Sequence, residues 1–315
     1  MMTQECSPVG GVMLDNKSPF CPVSVLIAAK NEERNLGRCL EGLRGWAGEV
    51  VVVDSQSTDR TVEIAKSYGA TVLQFHYQGG WPKKRQWALD TYPFRHEWIL
   101  ILDADEILED PIKSEIAAAI RNPRFDGYWL RLRIFFLGRK LRFGDTQFWK
   151  LILFRKGRAH YEKRLERQDA SMMDIEVHEH VVADGPTGWL RCPVRHEDFN
   201  SLARYIEKQN ANSNWGAKVV LEGSSDEFPP AFFGNQAQHR RWLKRAFLRL
   251  PGSPLLFFLY RYVFRLGFAD GKPGLIHAVL QSIEQFQIKA KIYEAGLQRN
   301  VASGSEPEDY LNLHC

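Results

Sequence analysis

The sequence predicts an α/β fold in which parallel strands alternate with helices. Apolar runs of strand length recur between residues 22 and 103, and segments with helical periodicity separate them. Strands that alternate with helices at this spacing form a parallel sheet with right-handed crossovers. In addition, three of the predicted strands end in polar or acidic residues, and such sheets bind ligands at the edge where the strands end.

Each predicted element has its own signal in the sequence. The predicted strands span residues 23–29, 49–54, 70–75 and 98–103, and the predicted helices span residues 31–43, 61–68 and 81–92. Asn31 is the expected N-cap of the first helix, and Leu36, Leu40 and Leu43 form its apolar stripe. Further strands are predicted at 127–136 and 147–155, and further helices at 202–220 and 272–293.

The clearest signal is the stretch from Trp98 to Glu106. An apolar run is followed by three acids within four positions, which is typical of a buried strand that ends at the rim of a sheet. Alternation along a strand would place Asp103 and Asp105 on one face, where their repulsion favours a bound cation such as Mg²⁺ or Mn²⁺. The stretch also fits a strand followed by an acidic helix cap, and taken alone it does not separate the two interpretations.

Three strand ends together predict a nucleotide site. They are residues 30–32, 54–55 and 103–105, and parallel strands bring them to one edge of the sheet. The sequence contains no Gly-x-x-x-x-Gly-Lys-Ser/Thr loop, and no Gly-x-Gly-x-x-Gly follows the first strand. A P-loop kinase and a simple dehydrogenase are therefore both disfavoured.

The composition fits a globular protein of the cytoplasm. The chain has 315 residues, is 44% apolar and carries a net charge of +4, so a sizeable core is possible. Its five cysteines are scattered without a Cys-x-x-Cys pair, which predicts neither a zinc site nor a disulfide framework. No apolar run approaches the roughly 20 residues of a membrane span. Residues 1–21 are expected to form a flexible tail and are too acidic for a signal peptide.

Three ordered motifs resemble the signatures of family 2 glycosyltransferases. They are residues 28–36, 52–61 and 102–106. Residues 176–179 (Glu-Val-His-Glu) and 267–271 (Gly-Phe-Ala-Asp-Gly) resemble motifs of a bacterial subgroup that includes lipopolysaccharide-core β-glucosyltransferases. One departure from the family pattern is Gln56, where glycine is commoner.

The resemblance implies a domain organisation. Residues 22–223 would form a GT-A domain, a mixed sheet flanked by helices. The sequence pattern itself, with a linker at residues 224–230, predicts a helical extension at residues 224–299 and a tail at 300–315. The extension is basic and aromatic: residues 239–265 contain seven Lys and Arg residues and no acid. Such a stretch suits an anionic membrane surface, while nucleic acid and a merely solvated helical hairpin are the alternatives. We expect the membrane and no nucleic acid.

The resemblance also implies a donor site for a UDP-sugar. Asp54 would bind the uracil ring, and Glu32 and the backbone of Ala28 would line the base and ribose pocket. The alternatives are a helix cap for Asp54 and an exposed acid in the first helical turn for Glu32.

At the third strand end, Asp103 would reach the ribose or the metal, and Ala104 would line the donor site. Asp105 would bind an Mg²⁺ or Mn²⁺ ion that bridges the diphosphate. Arg85 lies in the run Lys83-Lys84-Arg85 at the start of a predicted helix and could hold phosphate, although such a run is more often a solvated face.

An inverting transfer needs a base that takes the proton of the acceptor hydroxyl. Glu179, in the extended segment 175–182, is the candidate. His178 and His180 flank it, and His180 is the candidate third metal ligand, with a structural histidine as the alternative. His196 is a further candidate ligand.

The sequence therefore predicts a metal-dependent inverting glycosyltransferase with a lipid-linked or lipopolysaccharide-type acceptor. The alternatives are a sugar-nucleotide nucleotidyltransferase and an inactive protein that binds sugar nucleotides or membranes.

Overall fold

The computed structural model describes residues 20–144, 146–163, 165, 180–198, 200–222, 233, 247 and 250–303. A nine-stranded sheet forms the centre of this part of the chain, and a two-stranded sheet lies beside it. The strands are β1 (Cys21–Ala29), β2 (Ala47–Asp54), β3 (Thr71–Gln74), β4 (Trp98–Asp103), β5 (Glu106–Ile107), β6 (Gly127–Phe136), β7 (Arg139–Lys140), β8 (Gln147–Arg155), β9 (Ala159–Tyr161), β10 (Val181–Ala183) and β11 (Thr187–Glu197). The helices are α1 (Leu36–Leu43), α2 (Thr61–Ser67), α3 (Lys84–Thr91), α4 (Asp110–Ala119), α5 (Leu202–Glu222), α6 (Ser253–Leu259) and α7 (Gly271–Ser303).

The first half of the large sheet is parallel, as predicted. β3, β2, β1 and β4 lie side by side in that order. Leu26 and Ile27 are neighbours in β1 and point to opposite faces, yet both are fully buried. Both faces of this strand are therefore covered, which explains why its sequence is a continuous apolar run and not an alternating pattern.

The second half of the sheet makes it mixed. β8 pairs antiparallel with both β4 and β6, β11 pairs parallel with β6, and β5 pairs antiparallel with β11. The predicted α/β class, with a mixed sheet flanked by helices and helices at the C-terminal end, is confirmed. Because Leu100 pairs with Leu153 in the antiparallel register, the start of β8 comes close to the end of β4.

The first helix begins later than predicted. α1 starts at Leu36, and its buried residues include Leu40 and Leu43, as expected. Asn31 is not its N-cap, because Asn31 has a φ of +55° and its side chain accepts a hydrogen bond from the backbone of Thr58. The loop after β1 is therefore bonded to the loop after β2 before the helix starts.

The C-terminal helices pack on one another. Trp215 and Ala217 of α5 and Ile288 and Ile292 of α7 are buried. A Cβ on Gly216 would lie 3.0 Å from Cδ1 of Ile288, so the two helices approach closely at this glycine. No helix among the described residues is long and apolar enough to cross a membrane.

Two of the scattered cysteines lie in the core of the sheet domain. Cys21 and Cys39 are buried free thiols, and burial raises the pKa of Cys21 to about 11.

A 3-10 turn at Gly267–Asp270 leads directly into α7. A Cβ on Gly274, in the first turn of α7, would overlap the carbonyl oxygen of Gly267. Gly274→Ala should therefore lower the free energy of unfolding by about 1–3 kcal/mol, because the turn and the helix would have to move apart. Gly80→Ala is the matched control, since nothing lies within 4 Å of its added Cβ. Chemical denaturation measures the free energy of unfolding of both variants, and equal values would contradict the close approach.

Candidate active site

The rim of the site is formed by two loops that hydrogen-bond to each other. The Asn31 side chain accepts from the Thr58 amide at 2.8 Å, and the Asn31 amide donates to Oγ of Ser57 at 2.8 Å. The Glu32 amide donates to Oγ1 of Thr61 at 2.8 Å. Gln56, the position that departs from the family pattern, has a φ of +57°, a conformation that glycine adopts most readily. The departure is therefore confined to a turn.

Asp54 ends β2 and is fully buried. Its carboxylate accepts from the Ser57 amide at 3.0 Å and from the Ser57 hydroxyl. These bonds close a turn in the loop that follows β2; α2 begins at Thr61 with Arg60 as its N-cap, so Asp54 does not cap that helix. Ala28, which pairs with both Val53 and Asp103 in the neighbouring strands, lies beside it at the same edge.

Glu32 faces α5 and is not an exposed helical acid. Its carboxylate lies 3.1 Å from Nζ of Lys208 and accepts from the amide groups of Asn35 at 2.6 Å and Asn200 at 3.3 Å. Lys208 also lies 3.4 Å from Asp198. Burial disfavours the Lys208 ammonium, but the nearby carboxylates outweigh it and raise the pKa of Lys208 above its ordinary value. Glu32 thus connects the loop after β1 to α5.

Asp103 is held between two cations. Its two carboxylate oxygens contact the Arg85 guanidinium and, at 3.0 Å, Nζ of Lys150. Lys150 also lies 3.2 Å from the buried carboxylate of Glu106. Although burial opposes ionisation, Lys150 and Arg85 hold the pKa of Asp103 well below its usual range.

Asp105 has a different environment from Asp103. β4 ends at Asp103 and the chain turns at Ala104 and Asp105, so strand alternation does not extend to the second carboxylate. Oδ1 of Asp105 lies 3.5 Å from Nδ1 of His196 on β11. Burial raises the pKa of Asp105 to about 6, since the charges around it only partly favour its ionised form.

The imidazole of His196 is surrounded by acids. Its Nδ1 lies 3.7 Å from Oε1 of Glu106 as well as near Asp105. Burial disfavours the imidazolium, but the two carboxylates raise the pKa of His196 to about 9. Asp103, Asp105, Glu106, Arg85, Lys150 and His196 therefore form one charged cluster at the carboxyl edge of the parallel strands.

The histidine whose ring lies next to Asp105 is His196. The amide of His180 donates to Oε1 of Glu162 at 3.2 Å, beside β10. Glu179 and His178 lie outside the described residues. Within the described ranges, no group of three His, Cys, Asp or Glu side chains is arranged to hold a metal ion.

Sequence reasoning missed Lys208 and gave Lys150 no role beside Asp103. Neither residue belongs to a local motif: Lys150 lies among exposed aromatic residues of β8, and Lys208 lies on a polar stretch of α5. Lys83 and Lys84, by contrast, were expected on a solvated face and are 2% and 7% exposed. The roles of Lys150 and Lys208 become visible only from the pairing of β4 with β8 and from the packing of α5.

Proteins of the α/β class bind their ligands at the carboxyl edge of the parallel strands, and the charged cluster lies at that edge in this chain. Residues 24–174 match the model of the family described as Glycosyl transferase family 2. The chain carries a family 2 glycosyltransferase domain and is a glycosyltransferase enzyme.

Relatives of the chain match it along most of its length. An uncharacterised glycosyltransferase of Rickettsia typhi is 26% identical over 301 residues, which cover 92% of each chain. The lipopolysaccharide core biosynthesis glycosyltransferase LpsC of Rhizobium meliloti is 28% identical over 290 residues, covering 88% of this chain and 93% of LpsC. Among solved structures, the crystal structure of S. aureus TarS 1-349 is 16% identical with a TM-score of 0.41, covering 91% of this chain and 93% of that one.

The raised pKa of Asp105 predicts how pH changes the stability of the metal-free protein. In the folded state Asp105 keeps its proton up to about pH 6, whereas the ordinary pKa of an aspartate is 3.8. This group therefore stabilises the fold at acid pH, and the contribution is lost as pH rises through 6. Asp105→Asn, which stays neutral, should gain stability relative to wild type between about pH 4 and about pH 7, on the order of 1–3 kcal/mol.

Urea denaturation in the presence of a chelator measures this difference. Asp110→Asn is the matched control, because the Asp110 side chain is 78% exposed. A difference between Asp105→Asn and wild type that does not change with pH would contradict the assignment.

Proposed function

We propose that the protein is an inverting glycosyltransferase that moves a sugar from a UDP-sugar to a lipid-linked or lipopolysaccharide-type acceptor, assisted by Mg²⁺ or Mn²⁺. The observation that carries the proposal is the position of Asp105, a buried carboxylate at the carboxyl edge of the sheet whose burial raises its pKa to about 6. A divalent ion bound there, together with a diphosphate, would offset the cost of burying this charge.

The residues at the edge of the sheet fit such an ion. Asp105 supplies a carboxylate oxygen, the atom type that Mg²⁺ and Mn²⁺ prefer, and His196 has a ring nitrogen 3.5 Å from it. Because its acidic neighbours raise the pKa of His196 to about 9, His196 would have to release its proton to bind the ion. We propose His196 as the histidine ligand in preference to His180, since His196 is the one beside Asp105. When bound, the metal neutralises the negative charge that develops on the departing diphosphate.

The cations around Asp103 have a second use in this proposal. Arg85 and Lys150 neutralise Asp103 in the protein alone, and both point into the edge where a diphosphate would lie. Guanidinium and ammonium groups bind phosphate oxygens strongly. Asp103 would then be available to the ribose. Asp54, Ala28, Glu32 and Ala104 remain the proposed lining of the donor pocket.

Glu179 is the proposed base. In this role its carboxylate accepts the proton of the acceptor hydroxyl as that oxygen attacks the anomeric carbon, and the bond to the diphosphate breaks on the opposite face. The proposal comes from the motif at residues 176–179, which resembles that of the lipopolysaccharide-core subgroup.

The proposed acceptor and location follow from relatives and composition. LpsC is named for lipopolysaccharide core biosynthesis, which supports an acceptor of that type. The basic and aromatic composition of residues 224–299 supports a peripheral position on the anionic inner face of the cell membrane, and no nucleic acid partner is proposed.

Metal dependence separates this function from its alternatives. The wild-type protein should release UDP from a UDP-sugar when Mn²⁺ is present, and Asp105→Asn should lower that rate by about 100-fold or more, because the ion loses a charged ligand. Asp110→Asn should leave the rate unchanged. A product that is a sugar nucleotide would indicate the nucleotidyltransferase, and no turnover with any nucleotide sugar would indicate an inactive binding protein.

Glu179 is tested by separating donor binding from transfer. Glu179→Gln should abolish transfer to a lipid-linked acceptor but keep UDP binding, because the amide cannot accept the proton and does not touch the donor. Calorimetry with UDP and Mn²⁺ measures binding, and Glu207→Gln, an exposed acid on α5, is the control. Transfer by Glu179→Gln at the wild-type rate would remove Glu179 from the mechanism.

A further inference from the structure

The segment between α6 and α7 exposes an unusual amount of apolar surface. We define the apolar corner as its large exposed side chains, which are Leu259, Tyr260, Val263, Phe264, Leu266 and Phe268. Phe264 is 77% exposed and Phe268 is 50% exposed. Single exposed apolar side chains are ordinary, but a group of six within ten residues marks an interaction surface.

The backbone of the apolar corner is fixed. Leu266, at its centre, has a φ of +58°, a conformation that costs free energy for a branched residue and persists only when surrounding bonds hold it. The Asp270 carboxylate accepts from the amides of Arg142 at 3.0 Å and Phe143 at 2.9 Å, and the Gly144 amide donates to the Arg265 carbonyl at 2.8 Å. The corner is thus bonded to the catalytic domain at several points.

Charge around the apolar corner has one sign. Between residues 250 and 283 the sequence has one acid, Asp270, and that residue is 4% exposed and turned inward. The exposed cations near the apolar corner lie either close to it in the sequence or on the loop that hydrogen-bonds to it. They are Arg139, Arg142, Arg265 and Lys272. An exposed Phe and Leu surface with a cationic border matches the chemistry of an anionic membrane interface.

We propose that the apolar corner is the surface by which the protein docks on an anionic lipid bilayer. Phe264, Leu266 and Phe268 enter the interface, and Arg142 and Lys272 meet the phosphate headgroups. A second copy of the chain fits this surface less well, because two-fold pairing would bring the cations of one copy against those of the other. This surface gives the proposed membrane partner a defined place on the protein. It rests on the proposed function only in assuming that the acceptor is linked to a lipid.

Docking at this surface fixes the active site relative to the bilayer. Phe143 and Gly144, which bond to the corner, lead into β8, and β8 carries Lys150 of the charged cluster. The chain between the corner contacts and Lys150 is only a few residues long. A lipid-linked acceptor would therefore be presented beside the edge of the sheet where the donor is proposed to bind.

Vesicle flotation tests the surface without any sugar nucleotide. The full-length protein should bind vesicles that contain phosphatidylglycerol and phosphatidylcholine, and should bind phosphatidylcholine vesicles weakly. The double variant Phe264→Ser/Phe268→Ser should lower the partition coefficient about tenfold or more, because two aromatic rings no longer leave water. Trp189→Ser, which removes a ring that is 53% exposed on β11, should bind as wild type.

A second pair of variants tests the charge. Arg142→Gln/Lys272→Gln should weaken binding to the anionic vesicles by about fivefold for each charge removed. Arg44→Gln/Arg121→Gln, which removes two exposed cations elsewhere, should leave binding unchanged. Wild-type binding by either corner variant would overturn the proposal.

Light scattering in the absence of lipid completes the test. A wild-type dimer that the Phe264→Ser/Phe268→Ser variant converts to a monomer would assign the corner to a second copy and overturn the proposal. Docking by a protein that releases no UDP from any UDP-sugar would leave the surface in place and overturn the proposed function instead. Thermal unfolding of each variant near that of wild type shows that the fold is retained.

Discussion

The site depends on the compensation of charge at the end of β4. Asp103, Asp105 and Glu106 lie together at the end of the buried strand β4. The residues next to them in the sequence include no cation. The compensating charges come from α3, β8 and β11, in the form of Arg85, Lys150 and His196. Removing one partner from such a group leaves a charge in a poorly solvated place, so the cluster is maintained as a unit.

This compensation also links the two halves of the sheet. The parallel half, β3 to β4, carries the acids and the loops at the rim, while β8 and β11 of the mixed half carry two of the balancing charges. Neither half contains a complete site. The mixed topology therefore brings the balancing charges to the acids, and the charged cluster is complete only when β8 and β11 are paired into the sheet.

The sequence predicted the parallel half well because its signals are local. A continuous apolar run that ends in acids identifies β4, and the same kind of pattern identifies β1 and β2. The start of α1 was wrong because Asn31 belongs to a contact between two loops, which one stretch of sequence does not contain. The mixed sheet was predicted from the family resemblance. No local pattern in the sequence indicates the order in which strands β6 to β11 lie in the sheet.

Most contacts of the site residues could not be predicted from the sequence. Asp103 and Asp105 were found, but their separate environments depend on the turn that ends β4 and on strands about 45 and 90 residues further along. A lysine on a strand or helix looks the same whether it meets solvent or a carboxylate. Lys150 and Lys208 could be recognised only when the pairing of strands and the packing of α5 were known.

The contact between Glu32 and Lys208 has a consequence for how the chain can be divided. The family match ends at residue 174, yet the first loop of the sheet is bonded to α5 through Lys208, Asn200 and Asp198. A fragment trimmed to the matched region would strip Glu32 of its counter-charge and Asp105 of its histidine. Chimeras between relatives will keep the charged cluster and the Glu32–Lys208 contact only when strand β11 and the first turns of α5 come from the same parent as the amino-terminal half.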